Sequence, residues 1–162
     1  MSEMTLLYCD TLAPNTTPVS VHEIRFNKPV HIHSFRIVCD GERPHPEIPF
    51  QGRTPNASLK IELFGCHHGK AKLCAALLDE PHRRQNLNSP SPTCKLSEKA
   101  TAMPINYLVV RTVPMALSLC LYGVEADEGP APEPPHWERL PAFGCAPAIR
   151  RATFSFFSAR AR

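Results

Sequence analysis

Three small groups of side chains in this 162-residue chain have the types and spacing for chemistry. The first is a His-x-His pair, His31 and His33, inside the stretch KPVHIHSFRIV. Residues two apart on a strand share a face, so both imidazoles can reach one coordination sphere. The second is the run Cys66-His67-His68, which follows a strand-like segment. Zinc takes ligands in a tetrahedral array, usually as two spaced pairs, and no second pair accompanies either group; neighbouring histidines also point apart. The expected reading is two polar residues on the wet face of a sheet, and no metal. The third group is cationic. Arg43 and Arg53 share a proline-rich loop with His45 and Phe50, and Arg83-Arg84 lie in a later polar segment.

Other chemistries lack their residues. No Gly-x-Ser-x-Gly elbow, Gly-x-Gly-x-x-Gly turn or P-loop occurs, so the sequence offers neither an activated serine nor a phosphate cradle. The acidic pairs Asp79-Glu80 and Asp127-Glu128 sit in polar segments and read as solvated surface. No enzyme activity, catalytic residue or cofactor is expected. Aromatic residues other than Phe50 are not interleaved with the loop arginines, which removes the stacking platform used for single-stranded nucleic acid. A formal net charge of +3 leaves RNA contact unforced.

The elements that must position these residues are short strands. MTLLYC (4–9) is a first candidate, closed by Asp10. In VHEIRF (21–26), His22, Ile24 and Phe26 form the predicted core face. Asn27-Lys28-Pro29 reads as a turn, followed by a strand over 30–39. There Val30 and Ile32 have one parity while Phe35, Ile37 and Cys39 have the other. One extra residue near Ser34, a β-bulge, would produce that phase change and leave His31 and His33 facing solvent ahead of it. Residues 40–56, with four prolines and two glycines, form a long loop. ASLKIELFGC alternates, placing Leu59, Ile61 and Leu63 inward and Lys60 and Glu62 outward. KAKLCAALL (70–78) fits a strand or a short helix, and PHRRQNLNSPSPTC another loop.

INYLVVRTV and MALSLCLYGV, separated around Pro114, look like an antiparallel pair. Met115, Leu117, Leu119 and Leu121 share one face of the second; Ser118, Cys120 and Tyr122 share the other. About seven strands with long loops predict an all-β fold, an antiparallel β-sandwich or jelly roll. The first and last strands are apolar enough to lie centrally, side by side.

Residues 1–126 are thus expected to form one domain. Residues 127–162 are proline-dense and end in RRATFSFFSARAR, and are expected to be a disordered tail. The seven cysteines are odd in number and contain no Cys-x-x-Cys. MSEMTLLYCD has no basic lead of the secretory kind, and no stretch reaches the roughly 18 apolar residues a membrane helix needs. The expected setting is a reducing compartment, the nucleus or cytosol, away from membranes.

Certain words in this strand order resemble the N-terminal domain of the Virilizer family. They are LLYCDTL, VHEIRFNKPVHIHSFRIV, QGRTPNASLKIELFG and YLVVRTVPMALSLCLYGVE, covering about residues 4–125. Asp10-Thr11 ends the first in the family manner, and Tyr122-Gly123 closes the last. The resemblance implies a galactose-binding-like β-sandwich at the front of a nuclear scaffold subunit. That subunit belongs to the complex that methylates adenosine N6 in messenger RNA and influences splicing. Other subunits perform the methyl transfer, which implies a non-catalytic scaffold that holds protein subunits of the methyltransferase complex. The loops 40–56 and 79–99 are the expected recognition elements, with Arg43, His45, Phe50 and Arg53 as partner-binding candidates. Two rival readings follow. One is a galactose-binding-like ligand module, for which the aromatic platform is thin. The other is weak RNA contact through Arg83, Arg84 and the arginine-containing tail.

Overall fold

The computed structural model describes residues 3–67, 70–81 and 93–127. Seven strands and one short helix follow in chain order: β1 (Thr5–Leu12), β2 (Ser20–Ile37), β3 (Ser58–His67), β4 (Lys70–Pro81), β5 (Thr93–Lys95), α1 (Glu98–Thr101), β6 (Ile105–Thr112) and β7 (Leu117–Glu125). All strand pairs are antiparallel, in one sheet ordered β1-β7-β2-β6-β3-β4, with β5 added beside β2. KAKLCAALL is therefore strand, and MTLLYC extends through Asp10 to Leu12.

The long strand β2 organises the sheet. Residues 20–25 pair with β6, whereas residues 30–37 pair with β7. The expected turn at Asn27-Lys28-Pro29 does not form; the chain stays extended and changes partner there. Pro29 has no N–H to give a ladder, and it falls where the register with β6 is interrupted, between Arg25 and Val30. Its carbonyl accepts the Ala126 N–H at 2.8 Å.

Chain length then requires β2 to bend. Drawn straight, its 18 residues would run roughly 56 Å. Ser20 lies opposite Thr112, and Ile37 opposite Leu119. The seven chain steps from Thr112 to Leu119 plus two ladder crossings reach at most roughly 35 Å. The sheet accordingly folds over at residues 26–29. One wing holds β1, β7, the second half of β2 and β5; the other holds the first half of β2, β6, β3 and β4.

Both wings feed one core. Leu7, Phe35, Ile37, Leu117, Leu119 and Leu121 come from the first, and Ile24, Leu59, Ile61, Leu63, Leu108 and Val110 from the second. The alternation of Leu59, Ile61 and Leu63 and the inward set on β7 are as the sequence pattern predicts. So is the bulge: the β2–β7 register slips between Ile32 and Ser34, making His33 the extra residue.

Other expectations need correction. β6 and β7 are not partners, because β2 lies between them. The short link around Pro114 joins the two wings rather than closing a hairpin. β1 does pair with β7, but it ends the strand order instead of lying centrally. Leu7 and Tyr8 are buried while Thr5 and Asp10 are exposed, so burying one side was sufficient for its apolar character. Glu62 is not outward in water: it is fully buried, opposite Arg111 on β6, and accepts from Arg111 Nη2 at 3.1 Å. Its face carries a second apolar cluster of Phe64, Cys66, Tyr107 and Val109, and Arg111 lies over the Phe64 ring at 4.7 Å.

Candidate functional site

The outer face of the first wing holds the candidate site. Across β1, β7 and β2, Cys9, Cys120 and Arg36 stand in register. The next row towards the bulge carries Tyr122, Ser34 and, on β5, Lys95. An open β-sheet would leave these residues in water. Here loop 39–54 folds back over Arg36, Ser118 and Tyr122, while Lys95 stays exposed.

The loop is pinned at its neck. The Glu42 N–H donates to the Cys39 carbonyl at 3.0 Å, closing a turn with Gly41 at φ 78°, the left-handed conformation that glycine adopts without strain. Gly52 donates to the Glu42 carbonyl at 2.7 Å and accepts from Gly41 at 3.0 Å. A Cβ on Gly52 would lie 2.2 Å from the Cys39 carbonyl oxygen, so only glycine allows this approach. Asp40 N–H donates to Thr54 O at 2.9 Å.

Side chains fasten the loop to the sheet. Glu42, 4% exposed, forms a buried ion pair with Arg36, 9% exposed, and its second oxygen accepts from Cys39 N–H at 3.2 Å. Thr54 Oγ1 accepts from Ser118 N–H at 2.8 Å, and Ser118 Oγ accepts from Arg53 N–H at 2.7 Å. His45 Nε2 is 2.7 Å from the Tyr122 hydroxyl, with the rings edge to face at 5.6 Å. Burial and then the neighbouring Cys120 push the Tyr122 hydroxyl up to about 12. Burial and then Arg36 hold the His45 imidazole below its ordinary value, with Glu47 opposing. The consistent assignment has Tyr122 O–H donating to a neutral His45. Beneath, Cys9 and Cys120 share a sulfur contact of 3.1 Å, which with burial drives the Cys120 thiol far upward.

The four candidate loop residues therefore divide. Arg43 and Arg53 have exposed side chains. His45 is half-buried against Tyr122, and Phe50 is half-buried against the main core, so both anchor the loop instead of presenting it. Glu42, Arg36, Thr54, Ser118 and Tyr122 were not singled out from the sequence. The available signal was an arginine inside SFRIVC, since a cation between core residues requires a partner.

His31 and His33 are half-buried, not solvent-facing. The segment from β5 through α1 covers them: His31 Nδ1 is 2.9 Å from Thr101 O, and Leu96 N–H donates to His33 O at 2.9 Å. Ser97 caps α1 by accepting from Ala100 N–H at 3.2 Å. Cys66 belongs to the second apolar cluster on the other wing, where burial raises its thiol to about 12. Among the described residues, no three His, Cys, Asp or Glu side chains are grouped to hold a metal ion. His68, Arg83, Arg84, most of loop 79–99 and the tail from 128 lie outside the described residues.

The histidines set a pH dependence. His22, His33 and His45 are all held below the ordinary 6.5, in each case chiefly by burial. A depressed folded-state value means that the unfolded chain protonates first as pH falls. Their contribution is fully present above 6.5 and is lost as pH drops through the lowered values. Thermal melts should therefore show Tm falling between neutral pH and about pH 5, with a shallower slope in His45→Gln.

No protein-family model, curated protein or solved structure matches the chain.

Proposed function

We propose that the chain is a non-catalytic interaction module: a β-sandwich of the jelly-roll, galactose-binding-like kind that holds protein partners. The resemblance of its strand words to the Virilizer N-terminal domain supplies the setting, a nuclear complex that methylates adenosine N6 in messenger RNA. One observation carries this reading. Loop 39–54 is clamped at its neck and tied to the sheet by a buried ion pair, yet it leaves Arg43 and Arg53 exposed. A rigid loop with free cationic tips loses little conformational freedom on binding, which suits recognition of an acidic protein surface.

The fate of the reactive groups agrees. Glu42 and Glu62 are committed to Arg36 and Arg111. Burial at Cys66, and the Cys9 contact together with burial at Cys120, keep these thiols protonated at neutral pH, and a thiol is a poor nucleophile.

Binding of the full chain to purified protein subunits of the methyltransferase complex tests the proposal. The double variant Arg43→Glu/Arg53→Glu should weaken binding by about tenfold or more. Its stability should stay within about 0.5 kcal/mol of the parent, because both side chains are exposed. Equal affinity for parent and variant, or no binding of the parent, would count against it.

A further inference from the structure

Beside the bulge of β2, on the outer face of the first wing, lies an open cleft of about 370 Å³. His33, Ser34, Lys95, Leu96, Glu98 and Met4 form its wall with Thr101. Three elements that the sequence separates widely meet there: the start of β1, the bulge of β2, and the segment from β5 into α1. The volume corresponds to about a dozen waters at roughly 30 Å³ each, and so to a small molecule.

Ser34 marks the cleft as more than a surface dent. The residue is 0% exposed, and its Oγ has no hydrogen-bond partner among the described residues. Buried hydroxyls are nearly always satisfied, and an unsatisfied one destabilises the fold. Ser34 occupies the middle of a row between Tyr122 and Lys95, where a smaller apolar residue would fit. A hydroxyl kept there without a protein partner is explained by a partner that arrives from the cleft.

The remaining wall groups define that partner. Lys95 and Glu98 have opposite charges, and neither forms an ion pair among the described residues. A purely anionic ligand would meet Glu98, and a purely cationic one Lys95, so only a ligand bearing both charges complements the pair. Met4, 57% exposed, and Leu96 add an apolar patch. Among the described residues no Phe, Tyr or Trp ring lines the cleft, which disfavours a sugar.

We infer that this cleft binds a small zwitterion, an α-amino acid with an aliphatic side chain. Its carboxylate meets Lys95 and, once the buried Ser34 hydroxyl turns into the cleft, accepts from Ser34 Oγ; its ammonium faces Glu98, and its side chain lies on Met4 and Leu96. The site is separate from loop 39–54, and its occupancy does not depend on partner binding there.

Amide NMR titration of the full chain with L-leucine and with L-methionine tests this. Two analogues carrying one charge each, isocaproate and isopentylamine, serve as comparison arms. The expected result is saturable shifts at Ser34, Lys95, Leu96 and Glu98 with the amino acids, and binding weaker by about tenfold for each analogue. Ser34→Ala should lose binding while raising Tm, since it removes an unpartnered buried hydroxyl. That opposition separates a ligand role from a structural one. Absence of saturable shifts at millimolar amino acid, equal binding of a one-charge analogue, or parental affinity in Ser34→Ala would each overturn the inference.

Discussion

Replacing Glu42 with alanine is expected to destabilise the protein by about 3–5 kcal/mol, because it leaves the Arg36 guanidinium buried without its counter-ion. Arg36 is 9% exposed and cannot regain water without disturbing β5 and β7 on either side of it. For a domain of this size the corresponding fall in Tm is about 10–20 °C. The loss should be largest at the loop: Gly52 N–H and Gly41 N–H, which bond the Glu42 and Gly52 carbonyls, should exchange with solvent faster than amides of β7. Glu42→Gln should be milder, since it retains one oxygen acceptor for either Arg36 or Cys39 N–H, though its NH2 then faces the other donor. If loop 39–54 were merely draped on the sheet, Glu42→Ala would behave as a surface change, within about 0.5 kcal/mol. Equilibrium urea unfolding distinguishes the two outcomes.

Glu62→Ala is expected to cost a similar amount, about 3–5 kcal/mol, by stranding Arg111. Glu62 is 0% exposed and Arg111 is 7% exposed, at the centre of the second wing where β3 pairs with β6. The contact of Arg111 with the Phe64 ring survives the substitution but supplies only about 0.5–2 kcal/mol. The double variant Glu62→Leu/Arg111→Met should recover most of the loss, to within about 1 kcal/mol of the parent or above it, since apolar residues of similar volume avoid the desolvation cost of both ions. A large coupling term in the resulting double-mutant cycle is the signature of a buried pair; additive effects would place the two charges in separate, solvated surroundings.

These two pairs mark where sequence reasoning stopped. Alternation located one face of each strand well: Ile24 and Phe26, Leu59 to Leu63, and Leu117 to Leu121 are all in the main core. The parity flip after Ile32 was enough to find the bulge. Alternation also assumes that the second face is wet, and there it failed. Arg36 and Glu62 have polar side chains at outward positions, but their faces are covered, one by loop 39–54 and the other by an apolar cluster of its own. A charge in a strand says nothing about its partner when that partner lies 49 positions away, as Arg111 does from Glu62.

Strand order was hidden for a related reason. Two apolar strands joined around a proline read as a hairpin, and only the length and bend of β2 show that it must lie between β6 and β7. At the candidate site, composition pointed to the loop but could not rank its members. Arg43 and Arg53 are presented, whereas His45 and Phe50 are consumed in holding them. The cover over His31 and His33 depends on a three-residue strand and a four-residue helix, too short to leave a periodic signal.

Hydrogen exchange of the full chain, alone and with purified protein subunits of the messenger-RNA adenosine methyltransferase complex, tests the recognition proposal most directly. Binding through the clamped loop should slow exchange around Arg43 and Arg53 while leaving the distant β4 edge unchanged. Complex formation that protects β4 and spares the loop, or no complex at all, would contradict it.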